Sequence, residues 1–479
     1  MRITAFYIAC AILLLTFVAS GATIQVRSDL QAAIDAAAPG DTLQVAPGTY
    51  DKITIQKSLN LVGNGATIRA GDRDACVGVE ADGVSFTGFT IRDGFYGIKL
   101  NSVKGCRIAN NTVIRCAQPG IALLYSDGNI ITGNNASFNG LGGEGWYGIY
   151  LSNSNDNLIA DNVAYGNGAY GVNLFPSCNN NTIRGNVLQG NMYGLYMFTN
   201  CAHNHIEFND MSRNTNSGLD LRFNCTDNII LNNTITENVV AGVTFMESGQ
   251  NTVKGNLISG NGRYGLQVQS SSDGNTIINN NISDSQTGIF LESSKNQIYG
   301  NRIADNVIQA EDRGKNSWSA PYPKGGNLWS DYLGKDEMQG PNQDNPGKDG
   351  FGDEPYRINE ISKDKYPLMG NQVRQISVME KELSPEEVRV GDNIAVKAKL
   401  KSKYGLSQVT VRAFRSGSKA QGYARLDLSG DLYQGIFSTA LLDPGQYEIV
   451  LSARDLRGYE LQETIGKVKV TARGGFSSS

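Results

Sequence analysis

Several features that define common classes of protein are missing from this sequence of 479 residues. Beyond its first 22 residues it has no apolar run long enough to cross a bilayer. Its formal net charge is only −4, with no strong basic patch, so nucleic acid is not an expected partner. No segment of its repeated region has the periodicity of about 3.6 residues that a helix needs. These absences argue against a membrane-spanning, a nucleic-acid-binding and a helical-repeat protein.

The first 22 residues have the pattern of a signal peptide. Met1-Arg2 is followed by an apolar run from Ile8 to Val18 and by small residues up to position 22. We therefore expect an exported protein, located in the periplasm, at the cell surface or in the medium, whose fold begins after residue 22.

One short phrase recurs through the middle of the chain. A glycine followed by alternating apolar residues appears nine times, at intervals of 23 or 24 residues with one interval of 28. The glycines are Gly97, Gly120, Gly148, Gly171, Gly194, Gly218, Gly242, Gly265 and Gly288. A period this short and regular indicates a solenoid.

The content of each repeat identifies the kind of solenoid. The apolar residues fall in three short segments separated by corners rich in Asn and Gly, which predicts strands and an all-β chain. Stacked strands of this kind form a parallel β-helix, in which equivalent residues of successive turns line up as columns. An inward Asn at the same corner of each turn can pass amide hydrogen bonds to the next turn, so we expect the Asn columns to be structural.

The composition divides the chain into four parts. After the signal peptide (residues 1–22), the β-helix is expected over residues 23–310, beginning with a helical cap from Ser28 to Ala38. An Asp- and Gly-rich capping segment follows over residues 311–370. Short, evenly spaced strands over residues 375–473 predict a β-sandwich, and Asp443 to Tyr447 resembles the tyrosine corner of immunoglobulin-like domains.

Aromatic and charged residues occupy outward positions in the central repeats. The candidate carbohydrate-binding residues are Trp146, Tyr150, Phe175, Tyr196, Phe198, Asp220 and Arg222. Trp146 belongs to the insertion that lengthens one repeat, and the others are expected on one flat sheet, where sugar rings could stack. Alternatively, a loop or another subunit covers this sheet. Asp220 and Arg222 are the best catalytic candidates but weak ones, because the columns beside them supply no second acid.

Cysteine and histidine give one possible metal site. Cys178, Cys201 and Cys225 lie at equivalent positions of successive repeats, and His203 and His205 follow Cys201 at alternate positions. Thiolate and imidazole on one face would suit copper or zinc. The alternative is an inert inward stack of cysteines and two surface histidines.

A second possible metal site lies in the capping segment. Asp344, Asn345, Asp349 and Asp353 alternate with glycines, as hard oxygen ligands do in calcium loops. A solvated turn rich in Asp and Asn explains the same pattern.

The capping segment also carries the clearest resemblance to a known family. The phrases at residues 326–336, 349–358 and 366–369, joined to the Asn-rich repeats, resemble NosD-type β-helix proteins. This resemblance implies a right-handed, three-sided β-helix of the pectate-lyase-like type. It also implies either copper delivery or, in surface members, carbohydrate binding.

Three functions follow from these observations. The first is an exported protein that binds a polysaccharide or surface glycan without turnover. The second is a polysaccharide lyase, hydrolase or epimerase, and the third is a periplasmic copper-binding protein of the NosD type.

Overall fold

The computed structural model describes residues 21–71, 73–140, 147–369, 376–402, 405–415, 421–440, 442–455 and 460–472. Trp146 and most of the expected signal peptide lie outside these residues. The described chain forms a parallel β-helix with three faces, followed by a unit of two further sheets.

Two faces of the solenoid are continuous sheets of thirteen and twelve strands. The thirteen-strand sheet contains Thr23–Val26, Thr42–Val45, Asn60–Gly63, Ser85–Thr87, Arg107–Ala109, Ile130–Thr132, Leu158–Ala160, Thr182–Arg184, His205–Glu207, Ile229–Leu231, Thr252–Lys254, Thr276–Ile278 and Gln297–Tyr299. The twelve-strand sheet contains Ile53–Ile55, Val77–Val79, Ile98–Asn101, Ile121–Leu124, Tyr147–Ser152, Tyr170–Leu174, Tyr193–Phe198, Ser217–Arg222, Ala241–Met246, Tyr264–Val268, Thr287–Leu291 and Ile308–Asp312.

The third face is less regular than the other two. It begins with Gly48–Tyr50, Ala66–Arg69, Thr90–Arg92 and Thr112–Ile114, and ends with Thr234–Thr236, Leu257–Ser259, Asn281–Ser283, Arg302–Ala304 and Leu328–Trp329. Between these two groups the turns are joined by single bridges at Asn135, Val163, Val187 and Asp210. The prediction of a three-sided parallel β-helix is therefore confirmed in its parallel pairing and its three faces.

The Asn columns are structural, as predicted. Asn209 is 1% exposed, and its Oδ1 accepts hydrogen bonds from the backbone N and the Nδ2 of Asn186, at 3.0 and 2.9 Å. Its Nδ2 donates to Ile183 O at 2.8 Å and to Asn233 Oδ1 at 3.0 Å. The same pattern repeats from turn to turn, so each buried amide satisfies the backbone of the turn before it.

Both ends of the solenoid are covered. A helix at Leu30–Ala36 buries Leu30 and Ile34 against the first turn, and Asp29 is its N-cap, accepting a hydrogen bond from Ala32 N. The helix ends earlier than the expected Ala38, because Ala37 is extended. At the other end Trp329 and Tyr356 stack with their ring centroids 4.0 Å apart.

The segment after the solenoid adds short strands. Two antiparallel pairs form, between Met338–Gln339 and Asn345–Pro346 and between Tyr356–Arg357 and Lys363–Asp364. No helix within the described ranges has the length and apolar character needed to cross a membrane.

The C-terminal unit has two sheets around one apolar core. One sheet contains Ile376–Ser384, Asn393–Ser402, Leu432–Ser438 and Asp427–Ser429, and the other contains Glu387–Arg389, Glu460–Thr471, Gly445–Asp455, Leu406–Phe414 and Gln421–Arg425. The Tyr447 hydroxyl donates to Asp443 O at 2.9 Å, which is the contact of a tyrosine corner. This unit contacts the solenoid through Arg454, which is 6% exposed and donates from Nη1 to Gly255 O at 3.1 Å, and through Arg425, whose guanidinium lies 4.9 Å from the centroid of the Phe208 ring.

Candidate functional site

The twelve-strand sheet carries a continuous array of aromatic rings on its outer side. We call this array the aromatic face; its residues are Tyr147, Tyr150, Tyr170, Phe175, Tyr193, Tyr196, Phe198 and Phe223. Each ring has its centroid between 4.8 and 5.8 Å from the centroid of another ring of the array. Six of the rings lie on the strands Tyr147–Ser152, Tyr170–Leu174 and Tyr193–Phe198. Phe175 and Phe223 directly follow the ends of the strands Tyr170–Leu174 and Ser217–Arg222.

The array arises because equivalent positions of successive turns stack. Tyr147, Tyr170 and Tyr193 are stacked with interplanar angles of 13° and 15°, so they cover one another's faces and leave mainly edges and hydroxyl groups open. Phe175 and Phe198 meet edge to face at 5.2 Å, and Phe175 is 37% exposed. Phe175 is therefore the most accessible residue of the aromatic face.

Asp220 and Arg222 form an ion pair at the edge of the aromatic face. Arg222 donates from Nε to Asp220 Oδ1 at 2.8 Å and from Nη2 to Oδ2 at 2.9 Å, and its guanidinium lies 5.7 Å from the centroid of the Tyr196 ring. The Asp220 side chain is 1% exposed, whereas that of Arg222 is 30% exposed. Burial raises the pKa of Asp220 against the opposing effect of these hydrogen bonds, and the same bonds raise the pKa of Arg222.

This burial corrects one sequence-based expectation. Asp220 and Tyr196 point away from the solenoid interior, but the side chains beside them leave both nearly inaccessible, so they do not form an open platform. Asp220 has Tyr196 and Thr244 as its neighbours in register, and neither is an acid. Asp210, ten residues before Asp220 in the sequence, lies on the third face. A pair of free carboxylates is therefore not assembled around Asp220.

Asn173 is a residue of this surface that the sequence-based search did not select. It stands in register between Tyr150 and Tyr196, on the outer side of the strand Tyr170–Leu174, and is 3% exposed. Unlike the asparagines of the Asn columns, Asn173 interrupts a column of aromatic residues. That interruption was the signal available in the sequence.

The expectation that Cys201 shares a face with His203 and His205 is wrong. Cys201 is fully buried, whereas both histidines are exposed. The chain turns a corner here, with left-handed φ values of 58° at Asn200 and at His203, so the alternation of a strand does not apply.

The cysteines belong instead to a column shared with serines. Cys178 N donates to Cys201 Sγ at 3.5 Å, and Cys225 N donates to Ser248 Oγ at 3.2 Å. In an earlier turn Ser126 N donates to Ser154 Oγ at 3.0 Å in the same way. A small side chain with one acceptor satisfies a buried amide at this corner, and either sulfur or oxygen serves.

The carboxylates of the capping segment have taken other partners. Asp349 accepts from Gly340 N at 3.0 Å and from Phe351 N at 3.1 Å, and Asp353 accepts from Met338 N at 2.9 Å. Asp344 and Asn345 are exposed. The structure gives no support to a calcium site, because these side chains hold the loop together through its own amides.

The fold and the aromatic face define the class of this protein as a parallel β-helix with an aromatic-bearing outer sheet. The family described as periplasmic copper-binding protein (NosD) matches residues 34–218 and 174–334, which together span more than half of the chain. The chain belongs to this NosD family.

Three further proteins are similar to parts of this chain. A cell surface glycoprotein of Methanothermus fervidus is 34% identical over 96 residues, which are 19% of this chain and 16% of that protein. The A-module of the mannuronan C-5 epimerase AlgE6 of Azotobacter vinelandii is 20% identical, with a TM-score of 0.42 over 65% of this chain and 96% of that one. The pectate lyase Pel9A is 17% identical, with a TM-score of 0.40 over 59% of this chain and 80% of that one.

Copper, which the description of the family names, does not fit the side chains of the described residues. Among the residues that the structure describes, no group of three or more His, Cys, Asp or Glu side chains is placed to hold a metal ion. The imidazoles of His203 and His205 face outward, while the sulfurs of the cysteine column are enclosed and bonded to backbone groups.

Proposed function

We propose that this protein is an exported solenoid that binds a polysaccharide or surface glycan at its aromatic face without changing it chemically. The observation that carries the proposal is the exposed ring of Phe175, supported edge to face by Phe198 and placed on the same surface as the half-buried guanidinium of Arg222. Rings supply apolar area for a sugar, and a fixed guanidinium supplies hydrogen-bond donors.

Binding without turnover accords with the state of the Asp220–Arg222 pair. The carboxylate is enclosed, and each of its oxygens accepts a hydrogen bond from Arg222. A general acid or base must be able to exchange a proton with the substrate, and both oxygens of Asp220 are already held by Arg222. The pair instead holds the guanidinium in place, as a buried carboxylate does for a binding arginine.

The rest of the chain fits an extracellular or periplasmic location. We propose that the first 22 residues direct export and that residues 375–473 form an immunoglobulin-like sandwich. The tyrosine-corner contact between Tyr447 and Asp443 supports the second part of this proposal. Arg454 hydrogen-bonds this unit to the solenoid. The C-terminal unit therefore serves as a support held against the side of the solenoid rather than as a free spacer.

The test uses the mature protein and a panel of polysaccharides, and measures both retention and soluble products. Phe175→Leu should weaken retention by about twofold to thirteenfold, the effect of losing an aromatic contact of about 0.5–1.5 kcal/mol. Phe138→Leu is the matched control, because Phe138 is 48% exposed and meets Tyr165 edge to face at 5.6 Å on another part of the solenoid.

Two results would count against the proposal. Binding to no member of the panel, or an equal loss in the Phe175 and Phe138 variants, would remove the aromatic face as the site. Products that form with the wild type and disappear in Asp220→Asn would show that the protein is an enzyme.

A further inference from the structure

The side chain of Asn173 has a buried acceptor without a partner. Its Oδ1 is enclosed and receives no hydrogen bond, while its Nδ2 donates to Tyr196 O at a long 3.4 Å. Turning the amide over would bring two oxygens together at Tyr196, which disfavours the opposite orientation.

The unpaired acceptor distinguishes Asn173 from the asparagines of the Asn columns. The buried amides of the Asn columns donate and accept from turn to turn, as Asn209 does. A buried acceptor without a donor costs free energy, and native proteins keep few of them. Leu174 and Val172, on either side of Asn173, already fill the interior, so the fold itself does not require an amide at this outward position.

The position of Asn173 relates it to the proposed sugar site. Tyr150 and Tyr196 flank it in register, and the Tyr170 ring lies 4.8 Å from the Tyr196 ring. Asn173 is in register with Tyr196, and Tyr196 is in register with Asp220 on the next strand. Arg222, which forms the ion pair with Asp220, is the hydrogen-bond donor of this surface. With about 4.8 Å between neighbouring strands, the strands that carry the acceptor Asn173 and the donor Arg222 are roughly 10 Å apart along the solenoid axis.

We propose that Asn173 is the hydrogen-bond acceptor of the sugar site, reached when a neighbouring tyrosine ring turns aside. A hydroxyl of the glycan donates to Asn173 Oδ1, and an oxygen further along the same glycan accepts from Arg222. The ligand class is therefore a hydroxyl-bearing glycan chain that crosses the strands of the twelve-strand sheet. This inference rests on the proposed function.

The test compares two variants of similar shape. Asn173→Leu removes the acceptor, whereas Asn173→Asp keeps an oxygen at the same place but buries an ionisable group. The Leu variant should melt at or above the temperature of the wild type and bind the retained polysaccharide about tenfold more weakly. The Asp variant should melt lower yet bind better than the Leu variant.

A structural role and a binding role rank these variants in opposite orders. If binding follows the melting temperature, so that the Leu variant binds as well as the wild type or better than the Asp variant, Asn173 is not the acceptor. If the wild type binds no polysaccharide, the proposed function fails as well. If the wild type binds and the Leu variant binds within twofold of it, only this inference fails.

Discussion

Replacing Asn209 by leucine tests the energetic role of the Asn columns. The substitution keeps the size of the side chain but removes its four hydrogen bonds, two accepted from Asn186 and two donated to Ile183 O and Asn233 Oδ1. At about 1 kcal/mol net for each bond, we expect a loss of about 4 kcal/mol in the free energy of unfolding. The site is 1% exposed, so water cannot replace the lost partners.

The assay is denaturant unfolding followed by intrinsic fluorescence, with refolding as a check of reversibility. Where unfolding is not reversible, the unfolding rates are compared instead. Asn342→Ala is the control, because Asn342 is exposed in the capping segment and its substitution should change stability by less than about 0.5 kcal/mol. A similar small loss for Asn209→Leu would refute the reasoning, since it would mean that the columns contribute nothing beyond their shape.

Three further predictions concern other parts of the chain. The free energy of unfolding of Cys201→Ser should lie within about 1.5 kcal/mol of the wild-type value, because serine fills the same column in other turns. That of Cys201→Ala should be lower than the wild-type value by about 1–3 kcal/mol. Equal stability of the two variants would contradict this prediction. Burial raises the pKa of Asp364 to about 7, so the folded state holds the proton more tightly than the unfolded chain, and stability is lost as pH rises from about 4 to about 7. The melting temperature should therefore fall less across this pH range in Asp364→Asn than in the wild type. The same pH dependence in both proteins would contradict this prediction. The double variant Arg425→Ala/Arg454→Ala should release the C-terminal unit and increase the radius of gyration in small-angle scattering, whereas Arg412→Ala, within that unit, should not. Unchanged scattering of the double variant would contradict the role of these contacts.

The architecture could be predicted because each turn repeats the same constraints. A glycine, an inward apolar pair and an Asn at fixed spacing leave one way to stack the turns, and Asn186, Asn209 and Asn233 lie in the column that the spacing predicted. The tyrosine-corner contact of Tyr447 was predictable for a similar reason, because it depends on residues only four positions apart.

The accessible surface could not be predicted in the same way. Alternation gives the direction of Asp220 and Tyr196, but their exposure depends on the bulk of side chains in the neighbouring columns. The grouping of Cys201 with His203 failed because left-handed residues at the corner interrupt the alternation. The serines at the equivalent positions of other turns contained the information that the cysteine column is structural.

The most direct test of the account is hydroxyl-radical footprinting of the protein with and without a retained polysaccharide. Phe175 and Phe198 should be protected by the glycan, while Phe138 and Tyr165, which form a comparable exposed pair elsewhere, report any general scavenging of radicals. The account predicts protection of the first pair beyond that of the second. Equal protection of both pairs, or protection of the second pair alone, would contradict binding at the aromatic face.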